Sequence, residues 1–204
     1  LLPMLKGKKI ILVGDHKQLP PMVESDTLAE VAEKSGYNHE EIAHLEDSLF
    51  KELYNDAPDT LKTMLNVQYR MHPQIMNTIN QFYDFRLESG LLNADILRKH
   101  NCHNNILKES NHAIWVDIPL NVDNNEKKLG TSYYNETEIT VIEQILAQLD
   151  SSYKSNLDKD FKKKDVGVIT FYGAQVKKLQ KTVFKGNKYE NLNLRVGTVD
   201  RFQG

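Results

Sequence analysis

Three polar clusters in this chain hold residue types that can do chemistry together. The first is Gly14-Asp15-His16-Lys17-Gln18-Leu19-Pro20-Pro21 and the second is Gln68-Tyr69-Arg70-Met71-His72-Pro73. The third is Gly197-Thr198-Val199-Asp200-Arg201-Phe202-Gln203-Gly204. Arg70 carries a charge that does not titrate, on a planar fork of donors that matches phosphate oxygens. Gln18 can donate and accept hydrogen bonds at once, and Tyr69 offers a flat aromatic face. The hydroxyls of Thr198 and of Thr170 can hold phosphates, contacts that position a strand without reading its sequence. Each residue also has a plain structural reading. Arg70 could cap a neighbouring helix, Gln18 could face solvent, Tyr69 could sit in a core, and the threonines could be ordinary strand formers.

These clusters need elements to position them. Lys8 to Val13 (KKIILV) is a short apolar run ending at Gly14-Asp15, which predicts a buried parallel strand followed by a loop. Pro20-Pro21 excludes helix there. Residues 27–37 and 39–54 read as acidic helices, the second with Leu45, Leu49, Phe50 and Leu53 facing inward. Asn55 to Asp59 reads as a turn and is the candidate linker. A second unit begins at Leu61. Pro73 suits the first turn of a helix, and Ile75, Met76, Ile79, Phe82 and Tyr83 follow at helical spacing. Residues 91–112 are rich in Asn and His, lack a pattern, and read as surface loop. Ala113 to Ile118 reads as a strand and Asn121 to Thr131 as a polar loop.

Asn135 followed by Glu138 resembles a capping box. It opens a stripe of Ile139, Ile142, Ile145, Leu146 and Leu149. Asp165 to Phe171 predicts a buried strand. A helix with Val176, Leu179 and Val183 on one face comes next, and then a last strand from Leu194 to Val199. Strands alternating with helices imply βαβ units and a parallel sheet, whose ligands bind at the loops leaving the strands' C-terminal ends. The three clusters fall at or beside those positions.

Composition sets limits. The 204 residues are 40% apolar, enough to bury a core, and no run approaches the ~20 apolar residues of a membrane span. Cys102 is the only cysteine, which excludes an internal disulfide and fits a reducing, intracellular compartment, cytoplasmic or nuclear. Net charge is −2, yet its distribution is uneven. Glu24 to Asp59 holds eleven acids against Lys34 and Lys51, and Lys162 to Lys188 holds eight lysines against Asp165. The lysine segment is either a solvated helical face or a surface near a polyanion. His100, Cys102, His103 and His112 match no standard zinc spacing, so a solvated loop without metal is expected there.

The order of the motifs carries a resemblance. GDHKQLPP is similar to motif III of superfamily 1 helicases, QYRMHP to motif IV and VGTVDRFQG to motif V. The forms are those of the branch that includes the nonsense-mediated-decay helicase and senataxin. Phe82 to Leu87 resembles the family's FYxxxL, and Val168 to Gln175 resembles its VITPYxxQ, with Phe171 in place of proline. The resemblance implies an α/β fold of the P-loop NTPase class, a RecA-like parallel sheet flanked by helices. Residues 1–60 would then be the last part of one lobe and 61–204 most of the next.

The resemblance further implies a fragment of an ATP-dependent helicase or translocase acting on single-stranded DNA or RNA, with ATP and Mg2+ as cofactors. It makes Arg70 an arginine finger and Gln18 a sensor of the γ-phosphate or attacking water, and it stacks Tyr69 on adenine. It also sets Gly204 near the nucleotide and Pro20, Thr170 and Thr198 on the strand. The chain carries no GxxxxGK(S/T) phosphate loop and no Asp-Glu metal pair, which the resemblance places ahead of Leu1. Motif VI would follow Gly204. The chain alone is therefore expected to hydrolyse little or no ATP. A non-motor nucleic-acid-binding or scaffold module is the alternative reading.

Overall fold

The computed structural model describes residues 4–20, 30–31, 33–36, 48–119, 121, 124–155 and 162–202. The chain divides into two compact units, Leu1–Asn66 and Val67–Gly204.

In the first unit, helix α1 (Leu49–Asp56) presents Phe50, Leu53 and Tyr54 along one side. Phe50 lies against Gly14 so closely that a Cβ there would stand 3.0 Å from its ring. His16 stacks on Tyr54 at 4.6 Å between centroids. Helical turns also occur at residues 30–31 and 33–35, within the first expected helix, while 37–47 lie outside the described residues. The expected turn at 55–59 starts later than its Asn suggested. Helix α1 runs through Asp56 and ends where the Ala57 N–H donates to the Leu53 carbonyl at 3.0 Å. The expected strand Lys8–Val13 is not formed, and Val13 is 84% exposed. A parallel strand exists only through hydrogen bonds to neighbours, and the described residues of this unit supply none.

The second unit contains short strand β1 (Val67–Gln68), which pairs in parallel with β2 (Glu88–Ser89). Between them runs helix α2 (Pro73–Asn80), with proline in its first turn as expected. Helix α3 (Ala94–Leu97) is one turn long. Strands β3 (Lys127–Leu129) and β4 (Ser132–Tyr134) form an antiparallel hairpin. Its turn contains Gly130 at φ +62°, a left-handed conformation that glycine adopts without a Cβ clash. Helix α4 (Glu136–Ser155) leads towards the main sheet. There β5 (Lys164–Thr170), helix α5 (Gly173–Val183) and β6 (Leu192–Thr198) form a βαβ unit with parallel strands in the register Lys164↔Leu192 to Thr170↔Thr198. The fold is α/β, with parallel strands flanked by helices.

Binary patterning explains the core. Val168 from β5 and Leu192 and Val196 from β6 face Val176, Leu179 and Val183 from α5 and Ile139, Leu146 and Tyr153 from α4. Cys102 joins them with no exposure at all. The segment 91–112 is largely exposed, as its composition predicts, but it is more than a surface loop. It contains α3 and inserts a cysteine into the core. The expected strand 113–118 is also absent, and Trp115 is 90% exposed. The polar segment 121–131 holds β3, whose three residues are all exposed. No helix among the described residues is long and apolar enough to cross a membrane.

Candidate functional site

In the first unit the loop after residue 13 is shaped by Asp15. Its Oδ1 accepts from the Lys17 N–H at 3.0 Å, and its Oδ2 accepts from Gln18 Nε2 at 2.8 Å. The Gln18 N–H also donates to the Asp15 carbonyl at 3.3 Å. An aspartate that folds its own turn thus orients the glutamine amide, a partnership that spacing alone did not reveal. Gln18 and Pro20 are both exposed.

In the second unit Gln68 builds the turn that carries Arg70. Its Oε1 accepts from the Arg70 N–H at 3.0 Å and the Met71 N–H at 2.7 Å, while its Nε2 donates to the Met71 carbonyl at 3.0 Å. Arg98 closes the turn from the other side. Its Nε donates to the Arg70 carbonyl at 2.7 Å and its second guanidinium nitrogen to the Tyr69 carbonyl at 2.6 Å. The Arg70 backbone is therefore fixed at both its N–H and its carbonyl, and its side chain is exposed and forms no ion pair among the described residues. Tyr69 is 65% exposed, so it is not a core tyrosine. Its ring rests on Gly90, where a Cβ would stand 2.2 Å from Cε1. His72 caps α2, its Nδ1 accepting from the Gln74 N–H at 3.2 Å.

The strand ends bring the two threonines together. Thr170 and Thr198 are register partners at the C-terminal edge of β5 and β6, and both are half-buried. Neighbouring strands lie ~4.8 Å apart, so the pair forms a small hydroxyl-bearing ledge. Phe202 lies across the sheet beside it. A Cβ on Gly167 would come within 2.8 Å of its ring, and one on Gly197 within 3.2 Å. The Arg195 guanidinium sits 4.6 Å over the same ring. Gln203 and Gly204 lie outside the described residues.

Asn135 caps α4 as expected. Its Oδ1 accepts from the Thr137 N–H at 2.9 Å and the Glu138 N–H at 3.1 Å. The reciprocal half of the capping box is altered. Gln175, from the VITFYGAQ segment, accepts from the Asn135 N–H at 2.9 Å and donates to Glu138 at 3.0 Å. Burial, and then the charge of Glu126, holds the Glu138 carboxyl above its ordinary range. Burial also raises the Cys102 thiol and, with neighbouring His72 and His100, lowers His112.

Sequence reasoning missed Arg98, which sits in the segment that showed no pattern. It also missed Gly90, since a lone glycine gives no sign of the ring above it. The bonds of Gln68 and Gln175 were foreshadowed only by their places in the QYRMHP and VITFYGAQ segments.

Parallel strands flanked by helices, with polar motifs at the strand ends, define the class. An AAA domain model matches residues 45–204, and a second AAA domain model matches residues 1–26. The chain belongs to the superfamily 1 helicases, in the branch of the nonsense-mediated-decay helicase and senataxin. It is 34% identical to a regulator of nonsense transcripts 1 homolog of Neurospora crassa, over 100% of this chain and 17% of that protein. An uncharacterized ATP-dependent helicase of Methanocaldococcus jannaschii is 32% identical over 100% of this chain and 27% of its own length. The probable helicase senataxin of Mus musculus is 30% identical over 96% of this chain and 7% of its own length. The chain thus spans less than a third of the length of these relatives.

Proposed function

We propose that this chain is the part of an ATP-dependent helicase or translocase that carries the arginine finger and half of the nucleic-acid track. The observation that carries this reading is Arg70, an exposed guanidinium on a turn held from both sides by Gln68 and Arg98. Phosphoryl transfer depends on placing such a charge against the γ-phosphate oxygens, because the transition state offers the protein little else to do. ATP supplies the phosphoryl group, with Mg2+ held chiefly by acids outside this chain.

In this reading Gln18, oriented by Asp15, senses the γ-phosphate or the attacking water. Tyr69 offers its open face to adenine, and Gly204 lies near the nucleotide. Thr170 and Thr198 hold successive phosphates of a single strand of DNA or RNA, with Pro20 against a base. Their adjacency supports this, since one ledge can grip a backbone without reading bases. Nucleotide-driven closure and opening of two lobes on one strand would then produce movement. An intracellular location belongs to the same proposal.

The test is Arg70→Ala in the full-length protein. Nucleic-acid-stimulated ATP hydrolysis should fall by about 10³-fold or more. ATP binding should stay within about tenfold, ~1.4 kcal/mol. Unchanged turnover removes the arginine-finger assignment and favours a non-motor binding module.

A further inference from the structure

We propose that Phe171 is the stacking contact for a base of the single strand, beside the phosphate-holding ledge of Thr170 and Thr198. The inference rests on the reading of those threonines as that ledge. Phe171 is the first residue beyond β5, so its backbone starts where the ledge ends. Its ring is 84% exposed. It is also the residue by which this chain departs from VITPYxxQ, an aromatic ring standing where that segment has proline.

The backbone under this ring is pinned on both sides. Upstream, Thr170 is paired in register with Thr198. Downstream, the Val176 N–H donates to the Tyr172 carbonyl at 3.1 Å, and the Ala174 N–H donates to Ser132 Oγ of the β3–β4 hairpin at 3.1 Å. The Tyr172 ring packs on Tyr133 of the same hairpin, 5.4 Å between centroids. Tyr172 therefore uses its ring to hold the segment, while the Phe171 ring makes no ring contact among the described residues. A Cβ on Gly173 would meet nothing within 4 Å, so the surface just past the two aromatic residues is open.

An exposed phenylalanine alone would mean little. Here its place beside the ledge, its fixed backbone and the charge nearby point to one occupant. Lys177 lies one helical turn after Gly173 on the same side of α5. It is exposed and forms no ion pair among the described residues, whereas Lys178 is held by Glu136. Hydroxyls and an ammonium for the backbone, with an aromatic ring for a base, are the parts that hold a single strand without reading its sequence, because every base has a π-face. A duplex keeps its base faces covered, so this contact favours single strands.

The experiment measures binding of a labelled oligothymidylate by fluorescence anisotropy, using the full-length protein and its Phe171→Ala and Phe171→Trp variants. A second strand of equal length, abasic throughout, keeps the phosphates and removes the bases. Phe171→Ala should weaken binding of oligothymidylate about five- to a hundredfold, the effect of losing one base stack, and leave binding of the abasic strand unchanged. Phe171→Trp should keep wild-type affinity for both. Oligothymidylate binding by Phe171→Ala within about twofold of wild type overturns the proposal. So does an equal loss on both strands, which would mark an effect on the backbone grip or the fold. A Thr170→Val/Thr198→Val variant tests the ledge separately, and it should weaken binding of both strands. If it does so while Phe171→Ala changes nothing, the ledge stands and the base contact falls. If it leaves both strands bound as in wild type, the ledge falls, and with it the reason to seat a base on Phe171.

Discussion

The Arg70 turn shows how a flexible side chain acquires a defined origin. The guanidinium is free to move, while its backbone N–H is bonded to Gln68 and its carbonyl to Arg98. The adjacent Tyr69 ring is placed by contact with Gly90, while its backbone carbonyl accepts from Arg98. Gly90→Ala would drive a methyl into that ring and force it aside. If the ring stacks on adenine, the loss is about 1 kcal/mol. The KM for ATP should then rise several-fold in the full-length protein, with kcat nearly unchanged. An unaltered KM would show that the Tyr69 face is not used.

At the scale of elements, the junction of α4 with α5 rests on Gln175. Its amide satisfies a buried backbone N–H at Asn135 and meets Glu138, so one side chain ties the start of one helix to another. Gln175→Ala leaves that N–H without an acceptor and should cost about 2 kcal/mol. This corresponds to a fall in melting temperature of roughly 4–8 °C. Gln175→Glu places a second carboxylate against Glu138, whose own carboxyl is already raised by burial. A carboxyl raised in the fold weakens stability as pH climbs through its folded value. The deficit of Gln175→Glu relative to wild type should therefore be larger at pH 7 than near pH 4.5, as measured by thermal unfolding at both.

For the molecule as a whole, Cys102 reports on the integrity of the main core. It is fully buried, and burial raises its thiol above the ordinary range, so both access and thiolate fraction oppose reaction. Alkylation by iodoacetamide should be at least about a hundredfold slower in the native protein than in urea, because it must wait for opening of the core. Fast native labelling would mean that the segment around residue 102 is not docked as described.

The amino-acid sequence by itself determined the parts that depend on local pattern. The βαβ unit was legible because Val176, Leu179 and Val183 keep helical spacing between two short apolar runs, and those runs did pair. The cap at Asn135 was legible because capping needs only neighbours in sequence. Motif order likewise placed the chain among the superfamily 1 helicases. Tertiary structure decided what needs partners distant in sequence. Lys8–Val13 and Ala113–Ile118 have strand-like composition, yet a strand without a neighbour to bond is not a strand. Arg98 and Gly90 act on the Arg70 turn across long sequence separations, and His72, Asp95 and His112 converge only through folding. Their proximity comes from chain packing, which leaves no periodic trace.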